Sequence, residues 1–155
     1  MSIFSFVESV KIEKVDKTMI YLYELHIMDT EDDKEILSLT PFISYERRLR
    51  VIKYINKIDK LRCILGELLL RYIIKKHYGI EDNRITFQYN VYGKPSLEDY
   101  IDIKFNISHS DKWIICGVSE KTLGVDIEGS YQNNILPIAK RFFTNEEYIY
   151  IQSHS

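Results

Sequence analysis

Asp126 and Glu128 stand two residues apart in Gly124-Val125-Asp126-Ile127-Glu128, a spacing that puts both carboxylates on one face of an extended chain. Such a pair can share a hard cation. Mg2+ typically takes one or two protein carboxylates and completes its shell with water and phosphate oxygens. An arbitrary Asp-x-Glu is more often a solvated strand face, and the apolar Val125 and Ile127 fit either reading. Upstream, Phe105-Asn106-Ile107-Ser108-His109-Ser110 reads as a short apolar run ending in a Ser-His turn. Adjacent residues of an extended chain point to opposite faces, so Ser108 and His109 do not pair as nucleophile and base. No Gly-x-Ser-x-Gly elbow is present either, which argues against hydrolase chemistry. A hydrogen-bonded polar turn and a phosphate contact both stay open for Ser108 and His109.

A second set of residues suits anions. Arg47, Arg50, Arg62 and Lys94 are each ordinary alone, since basic residues on a helix usually form a solvated face. Arg can grip phosphate with two parallel N–H bonds, whereas Lys acts as a point charge. From Ile43 to Lys76 there are ten Lys/Arg against three Asp/Glu, or +7; the remainder holds eleven against twenty, or −9, restoring the net −2. A compact basic segment in an acidic protein points to a local anionic ligand. Nucleic-acid binding is disfavoured, because no reader motif is present and the acidic remainder would repel phosphate. Combined with Asp-x-Glu, the basic residues suggest a phosphate-rich ligand straddling a metal.

The elements that must position these groups follow from periodicity. Lys17 to Met28 is rich in Ile, Tyr and Leu and predicts an opening strand, followed by an acidic turn over Asp29 to Lys34. A helical pattern begins near Tyr45, with Thr40 or Ser44 as cap and Ile52 and Ile55 at helical spacing. Asn56 to Asp59 marks a break, with Asp59 as the next N-cap. From Lys60, the residues Leu61, Ile64, Leu65, Leu68, Leu69, Tyr72 and Ile73 predict a long helix with one core face, closed by Gly79. Gly66 costs about 1 kcal/mol against Ala inside a helix, so close packing is expected there. Arg84 to Gln88, Ile103 to Ser108, Trp113 to Ser119 and Leu123 to Glu128 predict short strands, with Tyr92-Gly93-Lys94-Pro95 as a turn or loop presenting Lys94. Ile135 to Phe143 predicts a short helix. Thr144-Asn145-Glu146-Glu147 is a capping box opening another, which runs to about Gln152. The expected fold class is α+β, with helices packed on one face of a small, mainly antiparallel sheet.

At 155 residues the chain is expected to form one domain with a real core. No window reaches the roughly 20 apolar residues of a membrane helix. The N-terminus lacks the basic-then-apolar plan of a signal peptide. Cys63 and Cys116 match no metal spacing and read as free thiols of a reducing compartment, and the four His residues are scattered. The expected location is cytoplasmic.

Taken in order, these pieces resemble the larger, two-lobed (Sfp-type) class of 4′-phosphopantetheinyl transferases. The matching segments are Glu46-Arg47-Arg48-Leu49-Arg50, Asp59 through Arg62 to Gly66, and Leu68-Leu69-Leu70-Arg71. Tyr92-Gly93-Lys94-Pro95, Phe105 to Ser110 and Gly124 to Glu128 follow, then Ala139-Lys140-Arg141-Phe142-Phe143 with Glu147. The similarity runs from about Ile43 to Tyr148. Each motif is weak alone; their ordered set is specific.

The resemblance implies transfer of phosphopantetheine from coenzyme A to a serine of an acyl or peptidyl carrier protein. It implies Mg2+ on the pyrophosphate held by Asp126 and Glu128, the expected catalytic pair. Ser108 and His109 would contact the nucleotide 3′-phosphate, helped by Arg47, Arg50, Arg62 and Lys94. The family continues into a second lobe with a Trp-x-x-Lys-Glu-like helix, whose Glu completes the metal site and whose Lys assists proton transfer. Nothing like it occurs here, where the one Trp is Trp113. Residues 1–155 are therefore expected to form a single N-terminal lobe, with the C-terminal lobe absent. An uncovered apolar face would favour a homo-oligomer. The alternative to turnover is a truncated or inactive module that binds coenzyme A or carrier protein. Neither nucleic acid nor membrane is expected as a partner.

Overall fold

The computed structural model describes residues 4–5, 11–15, 18–28, 33–129, 140–141 and 143–153. Its centre is an antiparallel sheet built on β3 (Thr18–Ile27), a ten-residue strand rich in Ile, Leu and Tyr that suits a half-buried pleated surface. β1 (Phe4–Ser5) and β2 (Lys11–Val15) pair with parts of β3, and β7 (Trp113–Ser119) pairs along its other side. β6 (Lys104–Ser110) pairs with β7 and forms the sheet edge. The register sets Tyr23 opposite Cys116 and Cys116 opposite Ile107. Because side chains alternate, Tyr23, Leu25, Ile27, Ile114, Cys116, Val118 and Phe105 share one buried face. Leu22, Glu24, Asn106, Ser108, Ser110 and Gly117 share the other.

α3 (Lys57–Tyr78) packs on the first face, against β7, β3 and β6. It starts after Asn56, whose backbone is extended, and stops at Gly79, held at φ 65° where a side chain would be strained. Asp59 in its first turn and Lys75, Lys76 and His77 in its last complement the helix dipole. The expected stripe is buried at Leu61, Ile64, Leu65, Leu69 and Ile73, but so are Cys63, Glu67, Leu70, Arg71 and Ile74. The reason is a second layer: α1 (Asp33–Ser38) and α2 (Tyr45–Val51) also pack on α3. Each fully buried Leu or Ile contributes about 1.5–3 kcal/mol, so this helix is the main anchor of the core. At Gly66 an added Cβ would stand 3.5 Å from Ile107 Cγ2, an ordinary contact that places β6 directly over the helix.

Several local expectations are corrected. α1, β1 and β2 lie outside the elements read from periodicity. α2 ends at Val51, and Ile52 and Ile55 are exposed rather than packed. Asp59 sits in the first turn of α3, not at its N-cap. In place of one strand over Arg84 to Gln88 there is a 3-10 turn (Asp82–Arg84) and then β4 (Phe87–Tyr89), which pairs with β5 (Pro95–Leu97) in a separate two-stranded sheet. His109 and Ser110 belong to β6, and the turn is Asp111-Lys112, with Asp111 at φ 49°. Leu123 to Glu128 is extended but joins no sheet. Thr144 and Glu147 form the expected capping box at the start of α4 (Asn145–Ser153): the Thr144 N–H and hydroxyl each donate to Glu147 Oε2 at 2.9 Å. Of the helix expected over Ile135 to Phe143, Lys140 and Arg141 are helical, Phe143 is in a bend, and residues 135–139 and 142 lie outside the described residues. The fold is α+β, and no described helix is long and apolar enough to cross a membrane.

Candidate functional site

A cleft of about 270 Å³ opens between α2, α3, β6 and the β4–β5 turn. Arg47 and Arg50 reach it from α2, Arg62 from α3, Lys94 from the turn and His109 from β6. Local sequence accounts for each placement. Arg47 and Arg50 are three apart on a helix and so share a side. Lys94 follows Gly93 at φ 76°, in a turn that Asn90 closes by accepting the Tyr92 and Lys94 N–H groups at 3.0 and 2.9 Å. His109 falls on the helix-facing side of β6 with Phe105 and Ile107. Four cationic side chains thus line the cleft against one carboxylate, Asp59. Its field favours a multiply charged anion.

These cations are not equivalent. Arg62 donates from Nε to the Asp111 carbonyl at 2.7 Å, shares that oxygen through a second nitrogen, and pairs with Asp59 at 2.9 Å. It clamps α3 to the β6–β7 turn as well as lining the cleft. Arg50 lies 4.9 Å over the Tyr89 ring. Arg47 donates from Nε to Glu67 at 3.3 Å. Burial opposes the Arg47 charge, but Cys63 and Glu67 outweigh it and hold its pKa above the usual value. Burial also pushes the Cys63 thiol up, against the pull of Arg47.

The other face of β6 carries the carboxylate pair. Residues 123–129 run over the sheet, and exposure alternates so that Gly124, Asp126 and Glu128 point outward. Side chains of β6 replace a backbone ladder. Asn106 Oδ1 accepts from the Val125 N–H at 3.2 Å, Ser108 Oγ from Ile127 at 3.3 Å, and Ser110 Oγ from Gly129 at 2.9 Å. The steps of two on both chains make the segment parallel to β6. Gly117 makes room beneath it: an added Cβ would meet Leu123 Cδ1 at 2.7 Å and Val125 Cγ1 at 2.8 Å.

Ser108 Oγ donates to Asp126 Oδ1 at 2.9 Å, and the Ile127 N–H donates to the same oxygen at 3.0 Å. Among the described residues both bonds fall on Oδ1, so Oδ2 is the oxygen available to a cation. A hydrogen-bonded carboxylate is held in one orientation, as metal ligands usually are. Glu128 lines a shallow groove with Glu24, Ser110 and Trp113. Two exposed hard-oxygen donors fit Mg2+, and no group of three or more His, Cys, Asp or Glu is gathered for a metal among the described residues. Further ligands would come from water, the bound ligand or another chain segment.

The structure therefore brings Arg47, Arg50, Arg62, Lys94 and His109 together, and sets Ser108 apart from them beside Asp126. One strand separates the two groups. Sequence reasoning missed Asn106 and Ser110, which tether the carboxylate segment, and Glu67, which holds Arg47. The alternation Asn106, Ser108, Ser110 was the available signal for the tether.

A family model described as 4′-phosphopantetheinyl transferase, N-terminal, matches residues 30–121. The chain belongs to this family. The matched stretch contains every cleft cation and His109, and stops before Asp126 and Glu128. The 4′-phosphopantetheinyl transferase gsp of Aneurinibacillus migulanus is 40% identical over 124 residues, which is 79% of this chain and 51% of that protein. Sfp of Bacillus subtilis strain 168 is 38% identical over 121 residues, 78% and 52% respectively. HetI of Nostoc is 28% identical over 139 residues, 86% and 58%. The chain spans about half the length of the phosphopantetheinyl transferases it matches.

Proposed function

We propose that this chain binds coenzyme A for Mg2+-dependent transfer of 4′-phosphopantetheine to a serine of an acyl or peptidyl carrier protein, in the cytoplasm. The observation that carries the reading is the division of labour across β6. A cleft with four cations and one carboxylate lies on one side, and a carboxylate pair lies on the other. A ligand with phosphates at two places along its length would use both: the nucleotide 3′-phosphate in the cleft, the pyrophosphate toward Asp126 and Glu128.

Arg47, Arg50 and Lys94 would bind and orient the nucleotide end, with His109 as a further donor. Arg62 keeps the cleft wall attached to the β6–β7 turn while adding charge. Asp126 and Glu128 would hold Mg2+, with Ser108 fixing the Asp126 carboxylate. Mg2+ in that position would neutralise charge developing on the departing nucleotide phosphate. The attacking hydroxyl belongs to the carrier protein, so this chain needs no nucleophile of its own.

The test is the intact mass of an apo carrier protein after incubation with this chain, coenzyme A and Mg2+, with calorimetric coenzyme A titration in parallel. The expected result is a phosphopantetheine-sized mass increase that Asp126→Ala abolishes. Coenzyme A binding without a mass increase would select a binding module instead. No coenzyme A binding would overturn the assignment of the cleft.

A further inference from the structure

We infer that Glu67 is a positioning residue for the basic cleft: it sets Arg47 for the anionic end of the ligand. This rests on the reading of the cleft as the site of the coenzyme A 3′-phosphate. Glu67 lies in the middle of α3 and is fully buried, at 0% exposure. Its two oxygens have different partners. Oε1 accepts from Arg71 Nε at 2.9 Å and from the Ser44 N–H at 2.6 Å, and pairs with a second Arg71 nitrogen at 2.7 Å. Oε2 accepts from Ser44 Oγ at 2.8 Å and Arg47 Nε at 3.3 Å.

A buried carboxylate must be paired, and the two nitrogens of Arg71 on Oε1 would suffice for charge balance. The second oxygen therefore does something beyond neutralisation. Ser44 is the residue before α2, where a serine hydroxyl usually caps the helix, yet here it makes no cap bond and turns to Glu67 instead. Glu67 thus holds the entry of α2 by backbone and side chain, and holds the Nε edge of Arg47 one turn later. Two guanidiniums share one carboxylate, so a positive charge is left over. Arg47 is the member of this cluster that lines the cleft.

Arg has many rotamers to lose on binding. A partner that has already immobilised it spares the ligand that ordering cost, an effect of roughly two- to tenfold in affinity per side chain.

The experiment titrates coenzyme A and 3′-dephospho-coenzyme A into the wild-type chain, Glu67→Gln, Arg47→Ala and the double variant. Glu67→Gln is expected to weaken coenzyme A by roughly two- to tenfold, leave dephospho-coenzyme A unchanged, and add nothing on top of Arg47→Ala. Where Glu67→Gln does not unfold cooperatively, Glu67→Asp replaces it with the same expectations, since it keeps a charge for Arg71 but withdraws it from Arg47. Wild-type affinity for coenzyme A in the variant would overturn the inference, as would equal weakening of both ligands that adds to Arg47→Ala. Either result leaves the cleft assignment standing. A wild-type chain that does not distinguish the two ligands would overturn the cleft assignment itself, and this inference with it.

Discussion

Gly117→Ala adds one methyl group at the point where the carboxylate segment crosses the sheet. The new Cβ would lie 2.7 Å from Leu123 Cδ1 and 2.8 Å from Val125 Cγ1, with Leu22 Cδ1 at 3.6 Å. Carbon atoms rest about 3.5–4.0 Å apart, so something must withdraw by about 1 Å. β7 is paired on both sides, with Gly117 opposite Leu22 and Asn106, and cannot yield cheaply. Leu123 can swing its side chain, but the β-branched Val125 has little χ1 freedom, so the backbone near Val125 must move. A shift of that size breaks the 3.2 Å bond from the Val125 N–H to Asn106. Overpacking of this kind costs about 1–3 kcal/mol. Full detachment would lose the Ser108 and Ser110 bonds too, at about 0.5–1.5 kcal/mol each, together with the burial of Leu123 and Val125. A shift is therefore cheaper than release, and the segment should loosen rather than leave. The assay is site-resolved amide hydrogen exchange with a urea unfolding curve beside it. Val125 and Ile127 should lose protection while β7 amides change only in proportion to global stability. If the β7 amides lose protection and Val125 keeps it, the sheet has yielded instead and the reasoning fails.

Two further outcomes follow from the same contacts. Arg62→Ala should lower stability by about 1–3 kcal/mol in a denaturant midpoint, because it breaks the clamp on the Asp111 carbonyl; Lys94→Ala, at an exposed turn, should leave that midpoint unmoved. His77 Nε2 and the Tyr23 hydroxyl share a hydrogen bond at 2.8 Å, the His77 ring stacks on Tyr21, and burial, aided by Lys76, holds its pKa below the usual 6.5. The unfolded chain then takes up the proton first, so the contribution of His77 is complete above the unfolded value and is lost as pH falls toward the lower folded one. The wild-type urea midpoint should drop more steeply than that of His77→Gln between about pH 7 and about pH 5; parallel curves would remove His77 as the cause.

Residue patterns alone carried the long helix from Lys60 to Gly79, the β6–β7 pair in outline, the Tyr92–Pro95 turn and the Thr144–Glu147 cap. All are local: 3.6-residue and two-residue periods, a glycine at positive φ, and a reciprocal bond spanning four residues. The ordered basic and acidic motifs also carried the family. What periodicity could not supply was burial by distant neighbours. Glu67 looks like any glutamate on a helix until Ser44, 23 positions earlier, is folded against it. Leu123 to Glu128 alternates like a strand, because extended backbone is all that alternation reports. Whether that backbone finds a ladder or a row of side chains depends on what lies beneath, and here it is Asn106, Ser108 and Ser110 with space left by Gly117. Likewise the sequence by itself determined that Ser108 and His109 face opposite ways, a consequence of backbone geometry. Only the tertiary structure decided that one side of β6 meets arginines from two helices and the other a carboxylate, because charges far apart along the chain become neighbours only through packing.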